Sequence, residues 1–372
     1  MAHISSLRLT DFRSYTHLDL TLTGQPVVLY GANGAGKTNL IEAISFLSPG
    51  RGLRRARIED LARKENGRTA PAWGVNAIID DIKISVGQVP EYPKRRQMKL
   101  DGKSATGAQL GQLLTLMWLT PAQDRLFTGP ASDRRKFLDR FSLVHSPSHG
   151  FSSLRYEKAR SERNRLLSDG ITDIGWYEAL ENDMAAHGAK IAQARAYTVS
   201  RLIDEIERRA REKSDDIFPK SAITLEGDAE EQFQNGLAFD DVEVFIRESL
   251  ASNRPEDQRA GRTLRGVHKS DLCVRHAAKD MAAEDCSTGE QKALLLGITL
   301  AHARAQSDMK PILLLDEMAA HLDIDRRAAL IEELVMLDTQ LFMTGTDASL
   351  FKAFQGRAQC FEVNNGALTA SK

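Results

Sequence analysis

Cysteine is scarce. Cys273, Cys286 and Cys360 are the only three in 372 residues, widely scattered and without a CxxC pair. That excludes a disulfide framework and a structural zinc site, and it fits a reducing cytoplasm. Long apolar runs are also missing: no stretch approaches the ~20 residues that a membrane-spanning helix needs. The opening Met1-Ala2-His3-Ile4-Ser5 has no basic segment followed by an apolar one, so no signal peptide is expected. Excess charge of one sign is absent as well, with 50 Lys and Arg against 51 Asp and Glu. This is not the balance of a small basic nucleic-acid-binding module, and any such contact must come from local patches. There is no internal repeat and no low-complexity tract. The length suggests two or three domains, or one large domain carrying an insertion.

What is present is mixed α and β texture. Ile4, Leu7, Leu9 and Phe12, then Leu18, Leu20 and Leu22, alternate as in half-buried strands. Val27-Val28-Leu29-Tyr30 predicts a short buried strand. Residues 75–103 predict antiparallel strands, with Asp101-Gly102 as a hairpin turn. Leu110 to Trp118 reads as a short helix or strand ending before Pro121. From about Ser132 to Lys213 the spacing is helical, and we expect two or three long helices. Residues 214–262 are polar and weakly patterned, with a break at Asn253-Arg254-Pro255. The last hundred or so residues return to α/β character. They hold a helix from Ser287, an apolar strand Pro311 to Leu315, a helix Arg326 to Leu337 and a strand Gln340 to Thr344.

Gly31-Ala32-Asn33-Gly34-Ala35-Gly36-Lys37-Thr38 fits the G-x-x-x-x-G-K-[ST] pattern between a predicted strand and a predicted helix. Glycines let the backbone turn around a phosphate chain, and successive N–H groups face the anion. Lys37 would reach the β- and γ-phosphates, and Thr38 would ligate Mg²⁺. Ile312 to Leu315 then ends in Asp316-Glu317. At the carboxyl end of a strand, Asp316 would hold the metal and Glu317 would orient or deprotonate the attacking water.

Cys286-Ser287-Thr288-Gly289-Glu290-Gln291 opens a predicted helix ahead of that acidic strand. Taken alone, Ser287 and Glu290 are an ordinary capping box. In the order phosphate loop, Ser287 with Gly289, acidic strand, the stretch resembles the signature of ABC-type ATPases. That resemblance implies an anion site in which one protomer grips the γ-phosphate held by another. His321-Leu322-Asp323 stands where that class has its D-loop, and Thr344-Gly345-Thr346-Asp347 where it has a polar switch residue. Pro121-Ala122-Gln123-Asp124 stands for its Q-loop, with Gln123 expected to face the metal.

Further motifs narrow the resemblance. They are Leu9-Thr10-Asp11-Phe12-Arg13-Ser14-Tyr15, the phosphate loop with its Asn39-Leu40 extension, Gly129-Pro130 with Arg134-Arg135 and Phe137-Leu138-Asp139, then Tyr156, Arg163-Asn164 and Leu166-Leu167. In this order they resemble the RecF family over nearly the whole chain. Two places depart from its pattern. Gly266-Val267-His268-Lys269-Ser270-Asp271-Leu272 replaces a Gly-Pro-His-Arg-Asp-Asp-Leu segment, and Glu317 stands where many members have aspartate.

The resemblance implies an α/β fold: an ABC-type ATPase head (a P-loop NTPase) with an inserted helical lobe and a short antiparallel helical arm. We expect ATPase lobe I in residues 1–130 and 273–372 and helical lobe II with the arm in residues 131–272. An arm of about 40 residues per helix would reach only ~60 Å. The resemblance also implies cofactors ATP and Mg²⁺, bound by residues 31–39 together with Ser287, Gly289 and Asp323. The implied work is ATP-dependent homodimerisation on double-stranded or gapped DNA and at single-strand–double-strand junctions. Slow, DNA-dependent hydrolysis would reset the protein. Partners would be RecR and RecO, the outcome recombinase loading and SOS induction, and the location cytoplasmic and nucleoid-associated. For DNA contact we favour Arg51, Arg54, Arg55 and Arg57, which have no acid before Glu59, over the acid-interleaved cluster Arg155 to Arg165. The other readings are a transporter ATPase subunit, which would need an apolar coupling surface, and an SMC-like organiser, which would need far longer coiled coils.

Overall fold

The structure, a computed structural model, describes residues 3–212, 217–306, 310–319 and 322–371. The chain divides into two compact units, one built from residues 1–124 and 306–372 and the other from 125–305.

The first part of unit one runs β1 (Ile4–Phe12), β2 (Tyr15–Thr21), β3 (Val27–Tyr30), α1 (Lys37–Ser45), β4 (Lys64–Glu65), β5 (Arg68–Thr69), β6 (Trp73–Ile79), β7 (Ile82–Gln88), β8 (Gln97–Leu100), β9 (Lys103–Ser104), α2 (Gly107–Leu113) and β10 (Leu116–Leu119). Unit two follows with α3 (Ala131–His145), α4 (His149–Ser168), α5 (Ile174–Glu212), β11 (Ser221–Glu226), α6 (Asp228–Gln234), α7 (Phe239–Ser252), α8 (Arg254–Ala260), β12 (Asp271–His276), β13 (Met281–Ala282) and α9 (Thr288–Ala305). The chain then returns to unit one with β14 (Ile312–Leu315), α10 (Ile324–Met336), β15 (Leu341–Gly345), β16 (Gln359–Asn364) and β17 (Ala367–Ser371).

Unit one has two six-stranded sheets. One is antiparallel, in the order β2-β1-β6-β7-β8-β9, and its strands alternate as half-buried strands should. The other has the order β10-β14-β15-β3-β16-β17, parallel except for β17. Its central strands β14 and β15 are buried at every residue, which is why β14 reads as an unbroken apolar run and β15 as one up to Thr344. A single apolar core takes residues from both sheets and from α1, including the edge-on ring cluster Phe12, Phe46 and Trp73.

In unit two, α4 and α5 form an antiparallel pair, with Arg155 facing Asp183 and Arg163 facing Glu181. The seam of α5 is small: Ala185, Gly188, Ala189 and Ala192 let Tyr156 and Ile246 pack close. Toward the turn that joins these two helices, Arg163 is fully buried. It donates to Glu181 (3.1 Å), Asp257 (2.7 Å), Thr263 Oγ1 (2.9 Å) and the Leu250 carbonyl (3.0 Å). That satisfies a guanidinium that would otherwise be costly to bury.

Two expectations are revised. The boundary expected at 272/273 falls at 305/306, because α9 packs along α5 and Arg304 donates to Glu205 (2.9 Å). The stretch read as weakly patterned holds β11 and α6 to α8; β11 alternates, but over only six residues. The Asn253 break is real, separating α7 from α8.

Candidate functional site

The parallel sheet places three sequence motifs on one edge. Strands β14, β15 and β3 are neighbours and run the same way. Their carboxyl ends therefore carry the Asp316-Glu317 pair, Thr344 and the phosphate loop side by side. Thr38 Oγ1 donates to Asp316 Oδ1 (2.9 Å), although 278 residues separate them in the chain. Thr344 Oγ1 donates to the same oxygen (2.7 Å) and accepts the Glu317 N–H (2.9 Å). Glu317 has φ 55°, a left-handed conformation costly for a residue with a Cβ, and the Thr344 bond holds it there. Thr344 is completely buried, and its sequence signal was only a polar residue at a strand end.

The phosphate loop is shaped by glycine where no other residue fits. Gly31 has φ 146°, and a Cβ there would meet the Val363 carbonyl oxygen at 2.3 Å. Gly36 has φ 117°, and a Cβ there would meet Ser14 Oγ at 2.8 Å. Ala32, Asn33 and Gly34 are exposed, while Ala35 and Gly36 are buried at the start of α1. Lys37 is 3 % exposed, and its ammonium donates to the carbonyls of Gly31 (2.6 Å) and Ala32 (2.9 Å). Burial lowers its pKa, and the charges of Glu317 and Asp316 counter that in part.

The opening-strand motif turns out to brace this loop. Tyr15 Oη donates to the Gly36 carbonyl (3.0 Å), and Asn39 Nδ2 donates to Ser14 Oγ (3.0 Å). Arg13 forks onto the fully buried Glu42 of α1 (both bonds 3.0 Å). Glu42 went unnoticed in the sequence because nothing local marks it; its partner lies 29 residues away in the turn between β1 and β2.

Gln123, expected to face the metal, is engaged within its own turn. Its side-chain oxygen accepts the Thr120 N–H and the Thr120 hydroxyl, both at 2.7 Å. The amide caps its own turn after β10, because the turn N–H would otherwise lack a partner. Asp323 caps α10, accepting the Arg326 N–H (2.8 Å). His321 lies outside the described residues. In unit two, Ser287 is exposed immediately before α9 and forms the capping box with Glu290, while Gly289 is in the first turn.

The arginine clusters separate cleanly. Arg134 is bidentate on Asp271 (2.7 and 2.6 Å), and Arg135 donates to the Ser270 carbonyl (2.7 Å). The altered 266–272 segment is thus a packing hub. There His268 takes a hydrogen bond from Tyr156 (2.9 Å), and burial pushes its pKa down to about 3. In the 155–165 cluster Arg155, Lys158, Arg160, Arg163 and Arg165 all face acids. Arg96 is spent on the Phe46 and Ser48 carbonyls. Arg51, Arg54, Arg55 and Arg57 are all exposed on the loop after α1. Arg54 donates to Asn39 Oδ1 (3.0 Å), whereas the side chains of the other three have no hydrogen bond or ion pair among the described residues.

No helix among the described residues is long and apolar enough to cross a membrane, and none of their His, Cys, Asp and Glu side chains gather in threes as a metal cluster. Thr38 and Asp316 still offer a hydroxyl and a carboxylate side by side, hard oxygen donors of the kind Mg²⁺ takes together with phosphate oxygens and water.

Known proteins resemble the chain throughout. Residues 3–369 match the family model of the RecF/RecN/SMC N-terminal domain. The DNA replication and repair protein RecF of Mesorhizobium japonicum is 50% identical over 98% of this chain and 97% of its own length. That of Caulobacter vibrioides is 44% identical over 99% and 98%. Among solved structures, the recombination mediator protein RecF-ATPrS in the RecFOR pathway superposes with a TM-score of 0.84 at 21% identity, covering 100% of this chain and 98% of that one. An Smc head bound to the C-terminal winged-helix domain of ScpA follows the same fold at a TM-score of 0.56 and 17% identity, covering 99% and 97%. With such identity sustained from end to end, and with the ABC-type head fold in place, the chain belongs to the RecF family of DNA replication and repair proteins.

Proposed function

We propose that this protein is an ATP-switched clamp that closes as a homodimer on DNA at single-strand gaps and junctions during repair. The observation that carries the reading is the meeting of Thr38, Asp316 and Thr344 beside the phosphate loop. ATP would lie along residues 31–39, its phosphates on the loop N–H groups and on Lys37 in exchange for the carbonyls it now holds. Thr38 and Asp316 would hold Mg²⁺, which supplies charge neutralisation at the β- and γ-phosphates. Glu317 would orient water for a slow, DNA-dependent hydrolysis that resets the clamp. Ser287 and Gly289 of one protomer would meet the γ-phosphate of the other, with Asp323 nearby. The free arginines Arg51, Arg55 and Arg57, with Arg54, support a sequence-independent phosphate contact. Recombinase loading with RecR and RecO, induction of the SOS response, and a cytoplasmic, nucleoid-associated location belong to the same reading.

The test is binding to gapped duplex, intact duplex and single-stranded DNA with and without ATP. ATP should strengthen binding to the duplex-containing substrates, and Glu317→Gln should accumulate an ATP-bound dimer that Lys37→Met cannot form. DNA affinity indifferent to ATP, or a Glu317→Gln protein that stays monomeric at saturating ATP, rejects the clamp.

A further inference from the structure

The helix that opens at Ser287 starts on a carboxylate as well as a hydroxyl. Glu290 Oε2 accepts the Ser287 N–H (3.0 Å) and the Ser287 hydroxyl (2.8 Å). Its other oxygen, Oε1, is gripped by the Lys279 ammonium. Those two partners, Lys279 first, hold the Glu290 pKa down to about 2, so the carboxylate is charged at neutral pH.

This arrangement poses a problem for an anion site. A phosphate oxygen that takes the Ser287 hydroxyl proton over from Glu290, at about 2.7 Å from Ser287 Oγ, would stand within roughly 5–6 Å of a carboxylate that still holds the Ser287 N–H. Two anions at that spacing repel unless a cation sits between or beside them. Lys279 is that cation, and the local fold aims it there. Residues Ala277–Lys279 form one tight helical turn between β12 and β13, closed by Asp280 at φ 46°. The hairpin pairs Arg275 with Ala282 and His276 with Met281, and Arg275 is tied to Asp280 (2.8 Å). The turn therefore presents Lys279, half-exposed, to the first turn of α9.

We propose that Lys279 is a positioning residue of the split nucleotide site: by pairing with Glu290 it cancels the charge that the helix cap requires, so that a partner protomer's triphosphate can reach Ser287. The inference rests on the split-site reading above. Glu290 fixes the Ser287 backbone through its N–H and can release the hydroxyl to an incoming anion, and Lys279 makes the carboxylate compatible with that anion. The pair is not part of the phosphate loop, so its expected effect is on dimerisation and not on nucleotide loading.

The experiment measures self-association of the full-length protein by sedimentation with saturating ATPγS, and nucleotide loading separately with a fluorescent ATP analogue at protein concentrations where monomer prevails. Lys279→Ala should weaken the nucleotide-bound dimer at least about tenfold, as an uncompensated like-charge contact does. Its monomer affinity for the analogue should stay within about twofold of wild type, since the phosphate loop is untouched. Lys279→Arg should retain the dimer. The double variant Lys279→Ala with Glu290→Gln should recover it, because glutamine still accepts from Ser287 but carries no charge. A Lys279→Ala protein that dimerises like wild type overturns the proposal. So does a double variant as defective as Lys279→Ala alone, which would make the lysine a plain structural brace. If the wild-type protein itself remains monomeric with ATPγS while loading the analogue, the split-site reading fails first and takes this inference with it.

Discussion

Valine at position 344 would keep the shape of threonine and remove one oxygen. The Thr344 hydroxyl is completely buried, donates to Asp316 Oδ1 at 2.7 Å and accepts the Glu317 N–H at 2.9 Å. In Thr344→Val, Asp316 keeps only the Thr38 donor, and the Glu317 N–H loses its partner in a partly buried place. An unsatisfied group of this kind costs about 1–3 kcal/mol. Glu317 also has φ 55°, a conformation worth roughly 1–2 kcal/mol of strain that the missing bond no longer restrains. The first unit should lose about 1–3 kcal/mol of stability, read from the denaturant midpoint at unchanged slope. ATP hydrolysis should fall at least about tenfold, the equivalent of ~1.4 kcal/mol in holding the carboxylate toward water. Affinity for a fluorescent ATP analogue should move less than about threefold, because the loop and Lys37 are unchanged. Thr344→Ser should restore hydrolysis. If Thr344→Val loses the stability yet hydrolyses ATP at the wild-type rate, Thr344 does not orient Glu317 and the reasoning is wrong.

Three other outcomes are expected. Arg163→Met strands the buried Asp257 and the Leu250 carbonyl without their guanidinium, and the second unit should lose about 3–5 kcal/mol, seen as faster amide exchange in α4 and α5. His302 stacks on Phe141 at 4.0 Å with no partner for either ring nitrogen among the described residues, and burial pushes its pKa down to about 3. Its folded pKa lies below the unfolded value, so the unfolded chain binds the extra proton. Its contribution is fully present above about pH 6.5 and is lost as pH falls toward 3, at up to ~1.4 kcal/mol per pH unit. His302→Leu should flatten that slope in urea titrations at pH 7 and pH 5 and should not destabilise at pH 7. Replacing Arg51, Arg55 and Arg57 together by alanine should reduce the slope of log K against log salt for duplex DNA by about 1 for each phosphate no longer neutralised, with ATP binding unchanged.

The arginines show where reading along the chain stops. Arg155 to Arg165 and Arg51 to Arg57 look alike in composition, and interleaved acids tipped the choice toward the second. The structure gives the physical reason: the basic side chains of the first group that line the arm face acids, whereas Arg51, Arg55 and Arg57 face none among the described residues. Gln123 shows the converse. Its place after β10 was legible, but its orientation depends on an unpaired N–H three residues back, which took its oxygen.

By itself, then, the amino-acid order determined whatever depends on neighbours a few residues apart. That includes the glycine-shaped loop at 31–38, the buried strands at 27–30 and 312–315, the helix start at Ser287 and the helical character of 131–212, though not the number of its helices. Only the tertiary structure decided which groups meet: Thr38 with Asp316 across 278 residues, Arg13 with Glu42, and Thr344 with both acids of the pair. Glycine conformation and apolar periodicity are set by adjacent backbone and are written locally. Hydrogen-bond partners are set by strand order and register, and in this chain the parallel sheet places the ends of β3, β14 and β15 together before any of those side chains can find one another.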